Sequence, residues 1–158
     1  MNRALLAAVF SLVASSAHAE WTFTDVSDEE VTAYKAWTTD FSGDLELQYY
    51  CDSLYPDAID LIVYTGEDFE ESTSYAEDGV MRVTIDGGSG LEVTGFFDNH
   101  DGELLVYTSS LEVDGVDRVV KAMAFAKDRI DISYYERSFS FPAAGSYDVL
   151  AKMVSDCP

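Results

Sequence analysis

VMRVTIDGGSGLEVTGFFDNHDGELLVYTS, residues 80–109, is the stretch that decides the fold. It contains three segments with the alternation and the β-branched and aromatic content of strands, at residues 80–85, 91–97 and 104–109. Two short connections separate them, 86–90 and 98–102, and both are rich in Gly, Asp and Asn, which tolerate φ > 0. The stretch therefore predicts three antiparallel strands joined as a meander.

Shorter strand signals lie on both sides of the meander, at residues 21–23, 31–37, 45–51, 60–65 and 130–134. Residues 31–37 are ambiguous. Ser27 and Glu30 have the spacing of a capping box that begins a helix, whereas the Thr, Tyr and Trp content favours a strand. We predict a strand, because the turn residues at 40–44 suit a hairpin.

Two later segments have helical periodicity. Val116, Val119, Val120 and Met123 recur at three- and four-residue steps, which predicts a helix near 115–127. Residues 146–156 form a second amphipathic helix, with Tyr147, Leu150, Ala151 and Val154 on one side. Many strands with two late helices predict an α+β, mainly β domain built on an antiparallel sheet or a sandwich.

The first nineteen residues have the features of a secretory signal peptide. Arg3 supplies the positive charge, residues 4–14 are apolar, and Ala17-His18-Ala19 has the form of a cleavage site. The alternative is a retained anchor, but the apolar run is shorter than the roughly 20 residues that span a bilayer. We predict cleavage after residue 19, a single domain at 20–158, and a periplasmic or secreted protein.

The composition is strongly acidic, with 30 Asp and Glu against 9 Lys and Arg and a formal net charge of −21. Such a charge repels phosphate backbones and anionic lipid, so it disfavours binding to nucleic acid and to membrane surfaces. After residue 19 no stretch is apolar and long enough to cross a membrane, so we predict no membrane insertion once the signal peptide is removed. It favours a cationic protein or peptide as a partner. The alternative is that the acidic surface serves only solubility.

The chain has two cysteines, Cys51 and Cys157. An even pair in an oxidising compartment predicts one disulfide. Redox catalysis would favour two thiols close in sequence, and this pair is far apart.

The positions of Trp21, Cys51, Phe139-Ser140-Phe141, Gly145, Leu150 and Cys157 resemble those of small exported alphaproteobacterial proteins. The likeness extends more loosely to the invasion-associated locus B group. That group usually carries further cysteines, which this chain lacks. The resemblance implies a periplasmic β-rich domain and supplies no catalytic motif.

Catalytic chemistry has few candidate residues in this sequence. If the signal peptide is removed, His100 is the remaining histidine, and it lies in a predicted turn among Asp98, Asp101 and Glu103. These carboxylates favour the imidazolium form, which is unsuited to a general base. No Gly-x-Ser-x-Gly motif supplies a nucleophile. We therefore predict no catalytic residue.

The same turn has the oxygen-rich composition of a calcium loop, with Asp98, Asp101 and Glu103 as weak candidate ligands. Its spacing does not match an EF-hand, so a hairpin turn is the preferred interpretation and we predict neither a metal nor another cofactor.

Adjacent aromatic pairs at 49–50, 96–97 and 134–135 place one ring on each face of a strand. If one sheet face is uncovered, Tyr50 and Tyr135 are candidates for a binding surface. The alternative is a sheet packed on both faces.

The function predicted from the sequence is a noncatalytic exported binding or accessory domain that engages a cationic protein or peptide through its acidic surface. Two alternatives stay open: an envelope or virulence-associated structural factor, and a hydrolase or calcium-binding protein that uses carboxylates.

Overall fold

The computed structural model describes residues 20–73, 75 and 78–158, so the predicted signal peptide at 1–19 lies outside the described residues. The elements are β1 (Thr22–Asp25), β2 (Ala33–Thr39), β3 (Glu46–Asp52), β4 (Asp60–Asp68), β5 (Gly79–Ile85), β6 (Leu91–His100), β7 (Glu103–Ser109), α1 (Val116–Ala124), β8 (Arg129–Tyr134), β9 (Arg137–Pro142) and α2 (Ser146–Asp156).

The strands form one open antiparallel sheet in the order β1-β2-β3-β4-β7-β6-β5-β8-β9. The predicted meander is confirmed as the adjacent strands β5, β6 and β7. Strand β7 also pairs with β4, so the meander joins the strands that precede it in sequence. The mainly β prediction is correct, in its single-sheet form rather than as a sandwich.

The ambiguous segment before residue 40 is the strand β2, as predicted. Ser27 does not begin a helix. Its hydroxyl accepts a hydrogen bond from Ala33 N–H at 2.9 Å, and the Asp28 carboxylate accepts from Glu30 and Val31 N–H. The pattern that resembled a capping box therefore closes the turn between β1 and β2.

Both helices pack on the same face of the sheet. That face presents the buried residues Ala36, Tyr49 and Leu61, which are paired across β2, β3 and β4. The buried side of α1 consists of the predicted Val116, Val119, Val120 and Met123. The helices contact each other through the Phe125 and Tyr147 rings, whose centroids lie 5.4 Å apart. Neither of the two helices in the described part of the chain lies on the opposite face of the sheet.

Helix α2 differs from its predicted packing. Of its predicted apolar side, Leu150 is buried, but Tyr147 is 55% exposed and Val154 is 65% exposed. Ser146 and Met153 are buried instead. The helix is therefore rotated so that part of its apolar side faces away from the core.

A disulfide joins Cys51 at the end of β3 to Cys157 at the C-cap of α2, as predicted. The two Cα atoms lie 6.0 Å apart, within the usual range for a disulfide. The bridge fixes the C-terminal end of α2 to β3.

Asp86 joins the turn after β5 to the connection between α1 and β8 through its carboxylate, which accepts hydrogen bonds from the N–H groups of Lys127, Asp128 and Arg129 at 2.8 to 3.0 Å. These bonds, chiefly the one from Arg129, lower the pKa of Asp86. A carboxylate whose pKa is lower in the folded state stabilises the protein above the unfolded-state pKa, and this stabilisation is lost as the pH falls through the folded-state value. We expect Asp86→Asn to lower the urea midpoint at neutral pH and to flatten its decline in acid.

Asp101→Asn is the matched control, because Asp101 has the same positive φ of about 50° in an equivalent Asp-Gly turn. Its carboxylate is 97% exposed, so the urea midpoint and its pH dependence should be unchanged. If both substitutions changed the urea midpoint equally, the three hydrogen bonds of Asp86 would not contribute to stability or to its dependence on pH.

Candidate binding face

The face of the sheet opposite α1 and α2 carries a row of mostly apolar side chains across five strands. The register pairs Trp37 with Gln48, Gln48 with Ile62, Ile62 with Tyr107, and Tyr107 with Phe96. Directly paired residues project to the same side, so the five side chains lie next to one another. The Phe96 and Tyr107 rings contact each other, with centroids 5.4 Å apart. The row is therefore a continuous surface.

Acidic side chains flank this row on both sides. One flanking row runs through Glu46, Tyr64, Leu105 and Asp98, and the other runs through Tyr50, Asp60 and Ser109. We call this surface the acid–aromatic face and define it by Trp37, Tyr50, Ile62, Tyr64, Phe96 and Tyr107 together with Glu46, Asp60, Asp98 and Glu103.

The carboxylates hold the tyrosines of this face in a negative field. Burial raises the pKa of Tyr64, and the charge of Glu46 raises it further. Burial also raises the pKa of Tyr107, with added contributions from Glu112 and Asp98. The phenols therefore stay protonated at neutral pH, so they act as neutral rings and hydrogen-bond donors among carboxylates.

One cation of the chain itself already lies on this face. Lys35 Nζ is 3.4 Å from Glu46 Oε1 and 5.3 Å from the centroid of the Trp37 ring. A carboxylate and an aromatic ring together hold the ammonium group, through an ion pair and a cation–π contact. The acid–aromatic face therefore has the chemistry to bind cationic side chains.

A polar cavity of about 430 Å³ lies at the end of the face and includes His100. The structure places His100 at the end of β6 rather than in the turn, because the strand extends three residues beyond the predicted 91–97. Its ring meets the edge of Tyr64 with centroids 5.7 Å apart, and its Nε2 lies 3.9 Å from Asp101 Oδ2. The residues that line the cavity include no Ser, Thr or Cys, so His100 has no adjacent nucleophile there.

The three weak candidates for calcium ligands have separate environments. The carboxylate of Asp98 accepts from Asn99 N–H at 2.8 Å, and Glu103 Oε1 accepts from Gly66 N–H at 2.8 Å. Asp101 extends into solvent. Among the described residues, no group of three or more His, Cys, Asp or Glu side chains is arranged to hold a metal ion.

Tyr50 and Tyr135 lie in different parts of the molecule. Tyr50 is on the acid–aromatic face, opposite the buried Tyr49. Tyr135 is in the β8–β9 turn with φ of 51°, where its ring stacks on Phe97 and its hydroxyl donates to the carbonyl of Asp78. Since β3 and β8 are five strand positions apart, the two tyrosines are separated by roughly 24 Å along the sheet.

Sequence reasoning missed Trp37, Tyr64 and Tyr107 as members of this face. Each occupies a strand position that alternates with buried neighbours, and this is the available signal. Their alignment depends on the pairing of β4 with β7, which are distant in sequence. The alternation identifies the face of each strand, but the strand order is needed to assemble the row.

No family model, curated protein or solved structure matches the chain. Neither described helix has the length and apolar character required to cross a membrane.

Proposed function

We propose that this protein is a noncatalytic exported domain that binds cationic segments of a protein or peptide on the acid–aromatic face. The observation that carries the proposal is the aligned row Trp37, Ile62, Tyr107 and Phe96, flanked by carboxylates on the sheet face opposite α1 and α2. Carboxylates and aromatic rings both attract Arg and Lys side chains, and the rings also contact their aliphatic stems.

The charge of the whole chain supports the same partner. A net charge of −21 raises the rate at which a basic partner is encountered, and it opposes association with anionic surfaces. The leader-like residues 1–19 and the Cys51–Cys157 disulfide are compatible with export, where such a partner would be met.

The proposal is tested with a labelled peptide of alternating arginine and valine, with a glutamate–valine peptide as the negative control. We expect the arginine peptide to bind in fluorescence anisotropy and to weaken between about 50 mM and about 300 mM salt, since exposed charges are screened beyond roughly 10 Å at 0.1 M. Tyr107→Leu should weaken binding about tenfold, or ~1.4 kcal/mol, because leucine keeps the apolar bulk but removes the ring that faces the cation. Tyr147→Leu is the control, since Tyr147 is 55% exposed on the helical side of the sheet, opposite this face.

A charge-matched pair separates a specific site from bulk acidity. Asp98→Asn removes a carboxylate of the acid–aromatic face, and Asp148→Asn removes one from the first turn of α2, with the same change in net charge. We expect only Asp98→Asn to lower the affinity measurably. If Asp98→Asn and Asp148→Asn lower the affinity equally, or if Tyr107→Leu does not change it, the peptide is attracted by the net charge of the chain and has no specific site on the acid–aromatic face.

A further inference from the structure

A second surface, on the helical side of the sheet, consists of an apolar groove between α1 and α2. Its volume is about 500 Å³, within the range of small-molecule sites. Val120 and Ala124 form one wall, and Leu150 and Val154 form the other. Phe125 and Tyr147 stand exposed at the groove with their rings in contact. A recess of about 150 Å³ adjoins it towards Cys157 and Pro158.

The groove explains why α2 does not bury its apolar side. Tyr147, Ala151 and Val154 follow one another at helical spacing along α2, and all three are exposed and line the groove. From Tyr147 to Cys157 this wall extends about 15 Å, given 1.5 Å per helical residue. The space is therefore long and shaped by a helix on each side.

Tyr49 supplies a polar group at the base of the groove. It is 1% exposed and lines both the groove and the adjoining recess. Burial raises the pKa of Tyr49 to about 12, so the hydroxyl remains a donor.

The charged residues that line the groove are Asp117 and Lys121, one helical turn apart on α1. They present one negative and one positive group beside an otherwise apolar space. A ligand that matches them has an elongated apolar chain and a zwitterionic head.

We propose that this groove binds the single acyl chain of a zwitterionic amphiphile, with the head at Asp117 and Lys121. The Tyr49 hydroxyl donates to an oxygen of the ligand. This site lies on the opposite face of the sheet from the acid–aromatic face, so it goes beyond the proposed function and is independent of it. A second copy of this chain is a weaker occupant, because each copy carries a net charge of −21.

The experiment titrates the full chain with dodecylphosphocholine below its critical micelle concentration, monitored by calorimetry. We expect saturable binding of one molecule, no binding of phosphocholine alone, and weaker binding of dodecyl maltoside, which lacks the zwitterionic head. Ala151→Phe should abolish binding by filling the groove. Ser155→Phe, the same bulk placed on an exposed α2 position that does not line the groove, should leave binding unchanged.

Tyr49→Phe tests the hydroxyl with little change in packing. We expect a roughly 2- to 10-fold loss of affinity, the effect of one hydrogen bond. Absence of saturable binding, or equal binding by Ala151→Phe, would overturn the site. Equal affinity for dodecyl maltoside would overturn the role of Asp117 and Lys121. Concentration-dependent dimers in sedimentation that Ala151→Phe removes would instead assign the groove to a second copy.

Discussion

Replacing both cysteines, as Cys51→Ala with Cys157→Ala, is expected to lower the free energy of unfolding by about 4 to 5 kcal/mol. The two residues are 106 positions apart, and a crosslink across a loop of about 100 residues restricts the unfolded chain by about 4.7 kcal/mol in the chain-entropy treatment. The loss is a large fraction of the ~5 to 15 kcal/mol that stabilises a typical domain. Urea denaturation followed by tryptophan fluorescence measures it.

Reductant provides the internal control for this prediction. Wild-type protein in dithiothreitol should unfold near the midpoint of the double variant, and the double variant itself should not respond to dithiothreitol. If the oxidised wild type and the double variant share one midpoint, the disulfide does not stabilise the fold. The bridge also holds the C-terminal end of α2, so its loss should loosen the groove wall before the centre of the sheet.

Local turn chemistry explains why the meander was predictable. Asp86-Gly87 and Asp101-Gly102 each adopt two successive positive φ values, which Asp and Gly tolerate. These turns lie between segments in which buried and exposed residues alternate, so the preferences of the turn residues and of the strand residues both agree with the observed sheet. The cysteine pairing was equally constrained, because two cysteines permit one disulfide.

The remaining features depended on tertiary structure that periodicity does not encode. The apolar side of α2 predicted burial of Tyr147 and Val154, yet these residues form the groove wall. Tyr135 was expected to project from a strand, but the chain turns there into β9, after only Tyr135 and Glu136. Strand β9 was not predicted as a separate element, although Phe139 and Phe141 alternate inward.

The two surfaces differ in how far the sequence indicated them. Tyr50 was identified from a local rule, that adjacent aromatics in a strand face opposite sides. The acid–aromatic face also needed the β4–β7 pairing, and the groove needed the packing of α1 against α2. Sequence reasoning thus identified Tyr50 as one candidate for a binding surface and could not assemble the other residues that lie beside it.

Tyr134→Ala is expected to lower the free energy of unfolding by about 3 to 5 kcal/mol, the range for truncating a fully buried large aromatic side chain. Tyr134 is fully buried, and its ring meets the edge of Phe97 with centroids 4.8 Å apart. Its hydroxyl donates to the carbonyl of Gly95 at 2.8 Å. The space exists because residue 95 is Gly: a Cβ there would lie 3.0 Å from Tyr134 Cε2. The alanine variant therefore leaves a cavity beside Gly95 and removes the hydrogen bond to its carbonyl.

Tyr134→Phe separates the two contributions, since it keeps the ring and removes only the hydrogen bond, with an expected loss of about 1 to 2 kcal/mol.

Burial raises the pKa of Tyr134 to about 12, whereas an unfolded tyrosine ionises near 10. Because the pKa of Tyr134 is higher in the folded state, its contribution to the free energy of unfolding is fully present below about pH 10 and is lost as the pH rises towards 12. The Tyr134→Phe variant should therefore lose less stability than the wild type over this pH range. Tyr55→Ala, at an exposed position, should leave the urea midpoint unchanged. If Tyr134→Ala were no more destabilising than Tyr55→Ala, the packing of Tyr134 against Phe97 and Gly95 would not contribute to stability.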